Sequence, residues 1–366
     1  MNGHERLDAV LHRRKPDKVP FAPYDEMVPR GSFERELRNR GMVLWTFRTV
    51  PYWSEFPNVT FETRVEGDRV TTIAHTPVGS VSSWYTTHLS RTIARERSNQ
   101  GGGWIKSVED YDPVIFMIGD ELFHPDHEVF DWISRDLGGD GHVRVQSGLG
   151  PPYTGAYGYY GMGTPDGLPN YVYAPLDFPD HYARLIAALE RRNRRVFDAV
   201  ADCPAEVFNL GDVSDYYGPK QFREQDLPFY EEYVPLLHAR GKILTNHAHS
   251  SHLQQVKDLI PMTGLDVIDA FTPPPVGNLS LAEARAAWGD RVIIGLNFPE
   301  SIFWEPTEEV KAYTLDLLRS DPGGPLIITL TEMGISMLAD DMTEQAFKAG
   351  MRAIMDAIDE YSSEGM

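Results

Sequence analysis

Apolar and polar positions change their period along this chain. Within residues 4–14, Leu7, Val10 and Leu11 fall on one helical face, which predicts a short amphipathic helix. Lys18 to Glu26 then reads as a first strand that starts near Pro20 and ends in two carboxylates, Asp25 and Glu26. From about residue 57 to residue 105 the period shortens to two. Val59–Val65 and Arg69–His75 flank a Glu-Gly-Asp turn, and Ser80–Leu89 and Thr92–Arg97 follow. This texture predicts an antiparallel β-meander, with Gly101-Gly102-Gly103 as a flexible turn at its end.

Beyond residue 105 helical and strand patterns alternate. Strands are expected over 142–146, 206–212, 242–246, 265–269, 291–297 and 325–330. Helices are expected over 107–118, 127–137, 180–200, 218–239, 253–260, 279–288, 307–319 and 343–361. Arg191, Arg192, Arg194 and Arg195 form a stripe on one of these helices and read as a solvated face. Residues 148–170, rich in glycine, proline and tyrosine, read as a long loop, a lid or ligand-binding segment that carries Tyr153, Tyr157, Tyr159 and Tyr160.

Strands that alternate with helices imply a parallel sheet, because each crossover needs a helix to return the chain. The expected architecture is α/β, a (β/α)8 TIM barrel of residues 1–366 with an N-terminal antiparallel β-meander inserted at about 57–105. Reacting groups then sit at the carboxyl ends of the strands. A doubly wound sheet is the alternative, but no Gly-x-Gly-x-x-Gly follows the first strand.

Composition narrows the partners. Of 366 residues 42% are hydrophobic and 11% aromatic, enough for a substantial core. No apolar run reaches membrane-spanning length and the first residues carry no apolar signal region, so a soluble, cytoplasmic protein is expected. Lysines and arginines number 34 against 54 acids, a net charge of -20. Nucleic acid and anionic membrane would be repelled over most of such a surface. Cys203 is the single cysteine; it excludes intrachain disulfides and cysteine-rich metal clusters, and reads as a packing residue.

Candidate chemistry gathers at the strand ends. Gly241-Lys-Ile-Leu-Thr-Asn-His247-Ala-His249 reads as a buried strand opening into polar groups, and two histidines two apart share one face of an extended chain. Two imidazoles and one carboxylate with a position left open suit a catalytic divalent metal such as zinc. Glu332, just past the last strand, is the third donor, with Asp269 as its substitute. Asp212 ends another strand and suits a general acid or base, with Tyr153 and Asp25 as further catalytic candidates. Glu26, Tyr216, Asp269 and Asn297 are the candidate substrate contacts. His252, beyond the strand, reads as a surface or helix-start residue. Amidohydrolase-type barrels place their His-x-His pair on the first strand and add later histidines, whereas here none follows His252.

The order of these elements resembles the uroporphyrinogen decarboxylase superfamily, and its cobalamin-dependent methyltransferase branch more than the true decarboxylases. The resemblance is carried by Leu210–Phe222, Pro228–His247, Gly264–Asp269, Leu281–Arg285, Gly289–Asn297 and Thr307–Val310, with similar ends, so it covers nearly the whole chain. It implies a (β/α)8 barrel, often a homodimer. It further implies zinc held by a His-x-Cys pair and a later Cys, with methyl transfer to or from a corrinoid on a partner protein. His247 matches the histidine of that pair, His249 falls where the cysteine would be, and the later cysteine falls at about Thr331 or Glu332. Imidazole and carboxylate thus replace both thiolates, a harder donor set suited to oxygen-bearing substrates. The arginine-rich motif that holds porphyrin carboxylates in the decarboxylases reads Tyr24-Asp-Glu-Met-Val-Pro-Arg30 here, which sets acids against an anionic porphyrin.

The function expected is a metal-dependent methyltransferase or demethylase acting on a small O- or N-methylated substrate, with a corrinoid as acceptor. The alternatives are a metal-dependent decarboxylase or lyase acting without corrinoid, and a barrel that only binds a ligand.

Overall fold

The computed structural model describes the chain except residues 26, 29, 47–48, 88–100, 162–166, 213–217, 249–251, 322, 331–340 and 366, and except the side chains of 168, 300 and 341–343. The candidates Glu26, Tyr216, His249 and Glu332, with Thr331, lie outside the described residues. The fold is mixed α/β and divides into two compact units, residues 1–51, 127–146 and 204–366 forming one and residues 52–126 and 147–203 the other.

The first unit is built on a six-stranded parallel sheet. Its strands run, in spatial order, Leu326–Leu330, Ile293–Phe298, Val267–Phe271, Ile243–His247, Val207–Asp212 and Arg144–Gln146. Most are buried on both faces, and all five residues of Val267–Phe271 and Leu326–Leu330 are buried. This is why they read as continuous apolar runs rather than alternating ones. Helices Leu227–His238, Leu281–Trp288, Thr307–Ser320 and Asp341–Ser363 alternate with them in the chain. Gly241, at φ +71°, makes the turn from the first of these helices into the Ile243–His247 strand, a conformation open to glycine without steric cost.

The predicted first strand is reduced to isolated parallel bridges, Phe21 with Ile328 and Tyr24 with Trp45. Pro20 and Pro23 have no N–H to donate, so a regular ladder cannot form around them. Leu44–Trp45 pairs in parallel with Gly141–His142, and Thr49 bridges Val145. The helix Gly3–Leu11, with an Asn2–Glu5 capping box, packs Leu7, Val10 and Leu11 against Ala22, Val43, Val207, Val267, Ile293 and Ile327. One amphipathic helix thereby closes over the starts of several strands.

The second unit holds an antiparallel meander, Thr60–Glu66, Arg69–Thr76, Gly79–Thr86 and Gly101–Gly102; the expected strand Thr92–Arg97 and the end of Ser80–Leu89 lie outside the described residues. Gly101 and Gly102 are therefore strand rather than flexible turn. A Cβ on Gly102 would stand 2.2 Å from Trp84 Nε1, so the close approach of the indole requires glycine there. Tyr52–Glu55 pairs with Leu122–Pro125, a ribbon the sequence pattern does not announce.

Three further expectations are corrected. Residues 148–170 are not a long loop, because Pro152–Tyr160 is a helix and another, Gly167–Asp177, begins within the stretch. Glycine and tyrosine disfavour helix on their own, but Tyr157 and Tyr160 bury against Tyr171, with ring centroids 5.2 and 5.9 Å away, and the Tyr160 hydroxyl meets that of Tyr111 at 2.7 Å. The tyrosines are core packing that overrides propensity. Residues 253–260 form no α-helix but fall into 3-10 turns at Leu253–Gln255 and Ile260–Thr263. Trp288 Nε1 donates to the Lys257 carbonyl at 2.9 Å, in place of a helical N–H. The arginine stripe is only partly solvated. Arg192 pairs with Glu121 at 2.8 Å and lies over the Phe123 ring, and Arg195 donates to the Ile118 carbonyl at 2.6 Å. Cys203 is buried, as a packing residue should be.

Candidate functional site

His247 closes its strand at the carboxyl end and is 3% exposed. Parallel pairing sets it level with Asp212 on one neighbouring strand and with Asp269 on the other. Three of the expected rim residues are thus set level by strand pairing, Asp212 after a shift of register beyond Asn209. Asp212 is half-buried, while Asp269 is wholly buried.

Two residues not expected in the site complete it. The Tyr24 hydroxyl lies 2.6 Å from Asp269 Oδ2 and 3.0 Å from His247 Nδ1. The Arg144 guanidinium forms an ion pair with the same Asp269 oxygen. It lies 4.7 Å from the Tyr24 ring centroid and 4.8 Å from that of Trp45, positions in which a cation is attracted to aromatic faces. All of Tyr24, Arg144 and Asp269 are inaccessible to solvent. Burial, and then the Asp269 charge, push the Tyr24 hydroxyl well above its ordinary range, against the opposing effect of Arg144. Burial by itself would lower Arg144, but Asp269 and Tyr24 outweigh it and hold the guanidinium above its usual value. The sequence signal for Arg144 was its place between Val143 and Val145 in a short apolar strand, where a charge needs a buried partner.

Backbone irregularity aims Asp269. The ladder to the neighbouring strand shifts register between Ile268 and Phe271, and Ala270 sits at φ +58°. Such a bulge re-aims a side chain at the cost of local strain. Gly295 leaves the space required, since a Cβ there would stand 2.7 Å from Asp269 Oδ1.

The remaining candidates are placed less centrally. Asp25 is half-buried and its backbone N–H donates to the Trp45 carbonyl at 2.9 Å. Asn297 is buried and accepts from the Thr329 hydroxyl at 2.6 Å. Tyr153 belongs to the second unit, where its carbonyl accepts from the Tyr171 hydroxyl. His252 is exposed, as expected.

For a divalent metal, the described donors level with one another at the strand ends are His247, Asp212 and Asp269, and Asp269 Oδ2 is already engaged by Tyr24 and Arg144. His247 suits a ligand, because metal-binding imidazoles are held through their second nitrogen by a hydrogen bond, as Tyr24 holds this one. Among the described residues, the group of three whose ligand atoms come within 4.8 Å of one another is Asp8, His12 and Glu206. They lie where the Val207–Asp212 strand begins, at the opposite end from His247. There His12 already pairs with Glu206 at 2.9 Å and with Asp8 at 3.1 Å.

Neither a protein-family model nor a curated protein matches this sequence. Solved structures do. A methyltransferase from Methanosarcina mazei superposes with a TM-score of 0.56 at 13% identity, over 99% of each chain. The shared property is the fold. A B12-independent methionine synthase from a Shewanella species gives a TM-score of 0.42 at 10% identity, over 94% of this chain and 98% of the other. Among the described residues, no helix is long and apolar enough to cross a membrane.

Proposed function

We propose that this chain is a metal-dependent methyltransferase or demethylase that removes a methyl group from a small O- or N-methylated substrate and passes it to a corrinoid on a partner protein. The observation that carries the reading is His247, buried at a parallel strand's carboxyl end, anchored by Tyr24 and level with Asp212, in a fold shared with a methyltransferase. The sheet is proposed to close as a (β/α)8 barrel of one domain. The Phe21–Ile328, Tyr24–Trp45 and Thr49–Val145 bridges support this, since they link the sheet's outer strands through the N-terminal segments.

In this reading His247, His249 and Glu332 hold a zinc or other divalent ion, which as a Lewis acid would polarise the methylated oxygen or nitrogen. Asp212 supplies the proton that neutralises the electron pair left on the demethylated atom. Asp25 assists proton transfer and orientation, and Glu26, Tyr216 and Asn297 contact substrate. Asp269, whose Oδ2 is engaged by Tyr24 and Arg144, supports Tyr24. A homodimer is the proposed assembly.

The test is metal analysis of the purified protein, joined to an assay of methyl transfer to cob(I)alamin from methoxy-aromatics or methylamines. Stoichiometric metal lost in His247→Ala, with methyl transfer lost alongside, is the expected result. Metal content and activity indifferent to His247→Ala would sink the site. Loss of CO2 from an acid without methyl transfer would replace the function with that of a lyase.

A further inference from the structure

The arrangement around Tyr24 fixes where one proton must be. Tyr24 carries a single hydroxyl hydrogen, and its oxygen lies 2.6 Å from Asp269 Oδ2 and 3.0 Å from His247 Nδ1. Asp269 Oδ2 is also the oxygen that pairs with the Arg144 guanidinium. A carboxylate so paired has no hydrogen to give and accepts only. The short contact to Asp269 is therefore made by the Tyr24 O–H. Its oxygen is left with lone pairs alone to offer the imidazole, so the bond to His247 forms only when Nδ1 carries the hydrogen.

We infer that Tyr24 is a positioning residue that holds His247 as the Nδ1–H tautomer, leaving Nε2 as the nitrogen that bears the lone pair. Which ring nitrogen is protonated is set by the bond the other partner makes, and here that partner is itself oriented by Asp269 and Arg144. The order Arg144, Asp269, Tyr24, His247 runs from a fixed cation to a nitrogen with a defined donor character. Every member is buried, so water does not compete for these bonds. The Arg144 guanidinium lies over the Tyr24 ring, 4.7 Å from its centroid. The proton assignment stands on geometry alone. Its use, to present Nε2 to a metal ion, rests on the reading of His247 as a ligand.

The experiment separates the two. Nitrogen NMR of protein labelled with 15N-histidine, in the absence of metal at neutral pH and with the His247 signals assigned by their loss in His247→Gln, reports the tautomer directly. The expected spectrum shows Nδ1 protonated and Nε2 unprotonated. In Tyr24→Phe that pattern should disappear, and the affinity for Zn(II) added alone should fall about ten- to a hundredfold, the range for loss of a partner that orients a ligand. An Nε2–H tautomer, or an imidazolium protonated on both nitrogens, overturns the inference, as does an unchanged Nδ1–H pattern in Tyr24→Phe. If Tyr24→Phe does not fold, the wild-type spectrum decides by itself. Nδ1–H together with no Zn(II) binding would leave the tautomer in place and remove the metal reading.

Discussion

Arg144 and Asp269 face each other as a fully buried ion pair, with no solvent access to either side chain. Such a pair gains little over an apolar packing of equal volume, yet removing one partner strands the other charge. Arg144→Met is expected to destabilise the protein by about 3–5 kcal/mol. The double substitution Arg144→Met with Asp269→Leu should be less destabilised than the single one. Denaturant midpoints of wild type, Arg144→Met, Asp269→Leu and the double variant check this. An additive double mutant would show that the two charges do not interact.

Gly295 borders the same carboxylate. A Cβ at this position meets Asp269 Oδ1 at 2.7 Å and the Asp269 Cα at 2.9 Å, and backbone cannot yield as a flexible side-chain tip can. Gly295→Ala should cost about 1–3 kcal/mol, the range for overpacking a core. It should also disturb His247, through Asp269 and Tyr24, as seen in the His247 nitrogen shifts.

Ala270 offers the opposite sign. Its φ of +58° is a conformation that L-residues adopt at a cost of about 1–2 kcal/mol and glycine adopts freely. Relief of that strain competes with the greater entropy glycine loses on folding. Ala270→Gly is expected to be neutral or stabilising by up to about 1 kcal/mol. Clear destabilisation in thermal melts would show that the bulge beside Asp269 is unstrained.

His142 gives the fold a pH dependence. It is buried, stacked on His4 with ring centroids 5.1 Å apart, and its ring is pushed down to about 4, first by burial and then by His4. The unfolded imidazole takes up its proton near 6.5 while the folded one does not, so the unfolded state binds more protons between these values and stability falls as pH falls through that window. From pH 7 to pH 5 the loss from this group is about 2 kcal/mol. His142→Gln should show correspondingly less dependence over that range. Equal slopes for variant and wild type would place the sensitivity elsewhere.

The sequence made the parallel strands legible because burial on both faces leaves long apolar runs, as in Ile293–Phe298 and Leu326–Leu330. His247 and Asp212 were legible as polar ends of such runs. Tyr24 was not, because two prolines broke its strand pattern and a lone tyrosine carries no spacing signal. Its role depends on Asp269, 245 residues away, and no local window holds that relation. The helix Pro152–Tyr160 was hidden for the same reason, since what stabilises it is contact with Tyr111 and Tyr171 rather than its own residues. Arg192 looked solvent-facing until Glu121 supplied a partner from a distant segment.

The bridge between Phe21 and Ile328 joins segments far apart in the chain, with the Ala22 N–H donating to the Ile328 carbonyl and the Ile328 N–H to the Pro20 carbonyl. During synthesis the early segment has no neighbour on that side until the late one leaves the ribosome. Ala22 and Val43, which share the cluster around Leu7 with Ile327, stay incompletely covered for as long. The growing chain carries that apolar surface exposed from the synthesis of the one segment to that of the other, so slowing elongation near residue 320 should lengthen its dependence on chaperones, whereas slowing it near residue 30 should not.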